Sequence, residues 1–158
     1  MIKQYKMVSF SLFMLLTLFI SSCYKEPDFI GDNSTTEGKH FPVIAGFKIV
    51  DKADSYNQGE KVKVDLDFWS VDPIKVINFH FRTDDTDVIA ATSPYVANFK
   101  EDSQTDELIM EFVVPSVSST DTVTVTIDAE IINENGLKVI SKDGGTGNRP
   151  SVSITVNP

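Results

Sequence analysis

The sequence predicts an all-β domain, a two-layer antiparallel sandwich of about seven to eight strands. Three observations carry that expectation. Apolar and polar residues alternate with period two through most of the chain behind residue 43, the pattern of strands buried on one face. Turn-forming residues separate the alternating runs, most sharply at Asn135-Gly136. No stretch of comparable length carries a 3.6-residue period. Antiparallel strands with one wet face bury their dry faces by packing two sheets together.

The elements follow in order. VIAGFKIV, Val43 to Val50, reads as the first strand. EKVKVDLDFW, Glu60 to Trp69, puts Val62, Val64, Leu66 and Phe68 on one face and Lys61, Lys63, Asp65 and Asp67 on the other. KVINFHFR aligns Ile77, Phe79 and Phe81, and ELIMEFVV aligns Leu108, Met110, Phe112 and Val114. In DTVTVTIDAEII the core set is Val123, Val125, Ile127, Ala129 and Ile131. The last strand offers Val152, Ile154 and Val156.

Asn135-Gly136 reads as a two-residue type I′ turn, since both central positions need positive φ and Asn and Gly tolerate it best. That turn sets Glu134 opposite Leu137, Ile132 opposite Val139 and Ile131 opposite Ile140, which places Ile140 in the core. KDGGTGNRP, residues 142–150, then interrupts the pattern. The second arm and SVSITV are one edge strand broken by a loop, or two short strands.

The chain ahead of the domain has a different character. Lys3 and Lys6 precede an uncharged apolar run, MVSFSLFMLLTLFI. A positive start, a short apolar stretch and small residues behind it make a secretory signal; a membrane-crossing helix needs about 20 apolar residues. From Tyr24 to Phe41 the sequence lacks periodicity and is rich in Gly, Ser, Thr, Asp and Asn, as in a flexible linker. The expected organisation is a cleaved signal over 1–22, a linker over 23–42 and one domain over 43–158.

Composition sets exclusions. The chain has 158 residues, 23 of them acidic against 14 basic, for a net charge of −9. An acidic chain without a basic cluster repels phosphate backbones, so a nucleic-acid partner is not expected. A single cysteine, Cys23, rules out an internal disulfide or a cysteine-rich metal site. His40 and His80 sit in no metal-binding spacing. No nucleophile has a recognisable base, and a sandwich of this size leaves little room for a paired-carboxylate cleft. The protein is not expected to be an enzyme, and no cofactor is called for.

Several residues remain as candidate contacts. Asp84, Asp85 and Asp87 cluster at a turn and could offer oxygens to calcium, although the spacing is not an EF-hand loop; the alternative is a solvated hairpin tip. Trp69 breaks the alternation of its strand. It is either a sugar-stacking platform or a strand-end aromatic tucked under the loop containing Val71 and Pro73. His80, on the polar parity of its strand, reads as a surface histidine. The glycine-rich stretch in 142–150 follows no strand-to-helix transition, so it is not a phosphate cradle.

Four resemblances add to this. Ile20-Ser21-Ser22-Cys23 resembles the lipobox of bacterial lipoproteins. This implies cleavage before Cys23, a diacylglycerol on its sulfur and an acyl chain on its amine. Lys25-Glu26 with Asp28 looks like a loose form of the export signal of Bacteroidota surface lipoproteins, interrupted by Pro27. It implies an outer-membrane anchor with cell-surface display favoured over a periplasmic face. The order IKVINFHFR, DDTDVIAATSPY, DTVTVTIDAEIINENGLKVIS resembles the bacterial immunoglobulin-like domains of surface proteins. Asn133 and Asn135 stand where an aspartate is common, and the 142–150 loop is extra. Asp121-Thr122-Val123 is similar to a Bacteroidota O-glycosylation acceptor, which implies a glycan on Thr122.

Together these give an expectation: a lipid-anchored, non-catalytic binding or assembly module, an accessory subunit of an outer-membrane protein complex. The alternative is a surface module that binds a glycan or host ligand.

Overall fold

The computed structural model describes residues 31, 34–84, 86–141 and 151–158. Cys23, Asp85 and the 142–150 loop lie outside the described residues. Contacts gather Asn33–Pro158 into one compact unit. Among the described residues, no helix is long and apolar enough to cross a membrane.

The domain is all-β, with ten strands among the described residues. In chain order they are β1 (Val43–Val50), β2 (Tyr56–Asn57), β3 (Lys61–Trp69), β4 (Ile74–Arg82), β5 (Asp87–Pro94), β6 (Phe99–Lys100), β7 (Thr105–Val113), β8 (Val123–Asn133), β9 (Lys138–Ile140) and β10 (Val152–Asn157). Two of the ten, β2 and β6, are two-residue strands that alternation cannot reveal, which accounts for the excess over the expected seven to eight. One sheet has the order β1-β3-β7-β6. The other runs β2-β10-β8-β4-β5, with β9 also on β8. The first is antiparallel throughout; in the second, β2 joins β10 in parallel.

Period-two patterning places the core where expected. Val62, Val64, Leu66 and Phe68 of β3 are buried, as are Ile77, Phe79 and Phe81 of β4 and Val152, Ile154 and Val156 of β10. Aromatic rings join the sheets: Phe47 of β1 meets Phe79 of β4 at 6.2 Å. Phe112 of β7 meets Phe79 and Phe81 edge-on at 5.2 and 5.4 Å. Such tilted pairs add about 0.5–1.5 kcal/mol each beyond their buried area. Tyr95, on the crossover between sheets, packs edge-on against Phe68 and donates its hydroxyl proton to Asp106 at 2.9 Å.

The β8–β9 hairpin departs from the expected register. Glu130 pairs with Ile140, Ile131 with Val139 and Ile132 with Lys138. Only Gly136 has positive φ, at 86°; Asn135 does not. Gly136 N–H closes a turn onto the Asn133 carbonyl at 3.0 Å, one residue earlier than in a two-residue turn. Asn135 instead uses its side chain: Oδ1 accepts from Leu137 N–H and Nδ2 donates to Asp72. Because strand faces alternate, the one-residue shift exchanges sides. Val139 is buried and Ile140 is half-buried. The second arm and SVSITV are two strands, β9 and β10, both paired to β8.

Candidate functional site

Three groups of side chains stand out, at the two poles of the strands and on the outer faces of the sheets. The first pole is where the chain enters. His40 N–H donates to Asp72 Oδ2 at 2.7 Å, and the His40 carbonyl accepts from Asn133 Nδ2 at 3.1 Å. Asn133 also donates to Ser70 Oγ. A short bridge between Ser34 and His40 precedes this contact. The described end of the expected linker, residues 34–42, is therefore fastened across the β3–β4 and β8–β9 connections. The hydrogen bond from His40 N–H, more than any other contact, holds the Asp72 carboxyl below its usual range.

At the opposite pole, two loops enclose a cleft of about 480 Å³. Thr83, Asp84 and Thr86 come from the β4–β5 turn; Ser116, Ser118 and Ser119 come from the β7–β8 loop. Val117 and Val123 complete the lining and pack against the core. Thr83 N–H bonds the Thr86 carbonyl at 2.9 Å, and their hydroxyls meet at 2.8 Å. Ser119 Oγ accepts from Asp121 N–H, and Gln58 Nε2 reaches the Val117 carbonyl.

The outer faces hold buried acids that alternation assigns to solvent. On the first sheet, Asp65 is only 6% exposed, lying in register between Lys48 and Ile109. Carboxylate oxygens of Asp65, Asp67 and Glu107 fall within 4.8 Å of one another. Lys48 bonds Asp65 at 2.9 Å and Lys100 bonds Glu107, so two of the three charges already have a cation. Gly46 gives the cluster room, since a Cβ there would sit 3.1 Å from Asp67 Oδ2. Burial, and then the neighbouring Asp65 charge, push the Asp67 carboxyl up. Asp65 and Asp67 are readable as a pair on one strand face, but the register that brings Glu107 alongside is not.

On the second sheet, Asp128 accepts from Arg82 Nε at 3.0 Å and from Ser151 Oγ at 2.5 Å. Glu130 accepts from Asn78 Nδ2 and Lys138 Nζ, both at 2.9 Å. His80 lies between Asp87, 3.3 Å from Nδ1, and Glu130, 3.6 Å from Nε2. Its side chain is 14% exposed, so it is largely covered, unlike the surface histidine the sequence suggests.

No family model matches the chain, and no curated protein matches it either.

The residues singled out in the sequence are dispersed. Trp69 is half-buried at the end of β3, paired with Val43. Asp84 faces the cleft whereas Asp87 turns to His80, so these two carboxylates serve different surroundings. Thr122 is exposed in the β7–β8 loop, one residue before the cleft-lining Val123. The cleft hydroxyls escape a sequence reading because the two loops that supply them are about 30 residues apart in the chain and look like ordinary turn composition.

Proposed function

We propose that the chain is a lipid-anchored, non-catalytic assembly module, an accessory subunit of an outer-membrane protein complex. In this reading Cys23 carries the lipid, the domain is an immunoglobulin-like sandwich, and it is displayed at the cell surface. The two packed sheets support the immunoglobulin-like assignment. The lipobox-like segment and the charged residues behind it support the anchor and its address.

The observation that carries the assembly role is the exposed apolar stretch formed by the β5 edge, the crossover after it and the start of β6. Val88, Ile89, Val96 and Phe99 are 54%, 58%, 72% and 59% exposed. Among the described residues β5 ends its sheet, so one side of its backbone has no neighbouring strand there. Asp87 is its one charged residue, so β5 lacks the lysines that commonly guard a strand edge against pairing. Such an edge suits a partner that adds an extended aliphatic segment to the sheet, with backbone hydrogen bonds for affinity and side chains for selectivity. The bulge opposite Phe79 and His80 bends the middle of β5 and restricts the register such a partner can take.

The test is co-purification from detergent-solubilised membranes. A membrane protein is expected at a fixed ratio to the wild-type chain and is expected to be lost when Ile89→Lys charges the edge. Recovery of the wild-type chain alone, or a partner indifferent to Ile89→Lys, would overturn the proposal.

A further inference from the structure

The geometry points to a second site, at the pole opposite the docked linker: the cleft between the β4–β5 turn and the β7–β8 loop binds a neutral polyhydroxylated ligand, a saccharide unit. Its volume of about 480 Å³ falls within the range of about 300–1,000 Å³ common for small-molecule sites. Five of its lining side chains end in hydroxyls: Thr83, Thr86, Ser116, Ser118 and Ser119. Thr83 and Thr86 hold each other and Ser119 accepts from Asp121 N–H, but each hydroxyl has one donor and two acceptor sites and keeps capacity for a ligand. A row of them matches the sugar edge, where every group is also both donor and acceptor. Asp84 adds a charged acceptor, the stronger kind of hydrogen-bond partner. Val117 and Val123 offer an apolar patch for the C–H face of a ring.

The lining also narrows the ligand. Among the described residues it includes no basic side chain, and Asp84 belongs to a chain of net charge −9, so phosphates and carboxylates are repelled. Calcium wants six to eight oxygens with several carboxylates among them, and among the described residues Asp84 is the one acid in the lining. Without an aromatic ring, a flat heteroaromatic ligand gains no stacking. What remains is a neutral molecule dense in hydroxyls.

Two features make the cleft ready for a ligand. Its loops are braced by hydrogen bonds within them, at Thr83–Thr86 and Ser119–Asp121, and by Gln58 from the β2–β3 connection, which reaches Val117; this lowers the ordering cost of binding. It is also set apart from the linker. β4 runs nine residues from Ile74, beside Asn133, to Arg82, just before the cleft. At about 3.3 Å per residue that is roughly 30 Å.

This inference is tested independently of the assembly proposal, because the cleft lining and the exposed edge residues Val88, Ile89, Val96 and Phe99 have no residue in common. The full chain, purified in detergent, is screened on an array of neutral oligosaccharides, and the best-retained sugar is titrated by calorimetry. Wild type is expected to bind. Asp84→Ala should weaken binding about tenfold or more, as loss of a hydrogen bond to a charged group does. Ser118→Trp should fill the cleft and abolish binding, while Trp69→Ala binds as wild type does. Asp84 and Ser118 are exposed, so both variants should melt with the wild type. Retention of no neutral sugar, or binding that survives both cleft variants, overturns the assignment. Either result leaves the co-purification outcome untouched.

Discussion

The backbone N–H of His40 donates to the carboxylate of Asp72 across 2.7 Å, joining residues 32 positions apart. The contact latches the end of the linker to the domain without entering the core. Asp72→Ala should therefore speed amide exchange across residues 34–42 while leaving the melting temperature nearly unchanged. Acid should act in the same way. The folded-state pKa of Asp72 lies below its usual 3.8, so the latch is fully present above that value and opens as pH falls through the depressed one. Exchange measured across this range checks both outcomes.

Glu130 is the buried end of a network on the outer face of the second sheet. Burial pushes its carboxyl up, but hydrogen bonds from Lys138 and Asn78, with the Lys138 charge, outweigh that and lower it below 4.5. Glu130→Ala strips the buried Asn78 amide of its acceptor and should cost about 2 kcal/mol. Lys138→Ala, at an exposed ammonium, should cost under about 1 kcal/mol. The stabilisation from Glu130 is complete above pH 4.5 and fades as pH falls through the lowered pKa. Urea unfolding at neutral and acid pH should show the gap between wild type and Glu130→Ala closing.

Asp67 has the opposite sign. Its carboxyl is pushed above the usual 3.8, first by burial and then by Asp65, so its charged form opposes folding. That penalty is fully present above the raised pKa and is relieved as pH falls through it toward 3.8. Asp67→Asn should raise the urea midpoint at neutral pH, with the gain shrinking on acidification. An unchanged midpoint at neutral pH would contradict this.

Gly136 carries the turn alone, at φ 86°. A Cβ there would meet nothing within 4 Å, so Gly136→Ala should cost only backbone strain, about 1 kcal/mol. Asn135→Ala should act differently, loosening the hairpin from Asp72 and speeding exchange at residues 34–42 as Asp72→Ala does. Comparing the two variants by unfolding and exchange separates turn geometry from docking.

Cys23→Ala should move the chain from the membrane fraction to the soluble fraction of a cell lysate. A chain that stays membrane-bound after this change is held by something other than a lipid on that residue.

How far the fold could be read from the chain depends on what alternation encodes. Period two assigns a face, and it did so correctly for β3, β4 and β10, where Val64, Phe79 and Ile154 all lie inside. It does not encode depth. Asp65, Asp128 and Glu130 take the outer face as their parity requires and are nevertheless buried, because neighbouring strands lay Lys48, Arg82 and Lys138 over them. The hairpin shows a second limit. Asn135-Gly136 marks a turn correctly, but Asp72, 63 residues earlier, claims the Asn135 side chain and helps set a different turn geometry. The cleft is a third case, since it exists only once strand lengths bring two unremarkable loops to one pole.

The order of the strands has a mechanical consequence. β1 starts at the pole where His40 is latched, and β10 ends beside Val123 at the other. A pull between the linker and anything gripping the far end would run along the strands. It would load the β1–β3 and β10–β8 ladders in shear, so that several hydrogen bonds must break together and not one after another. A domain strung this way resists tension along its length.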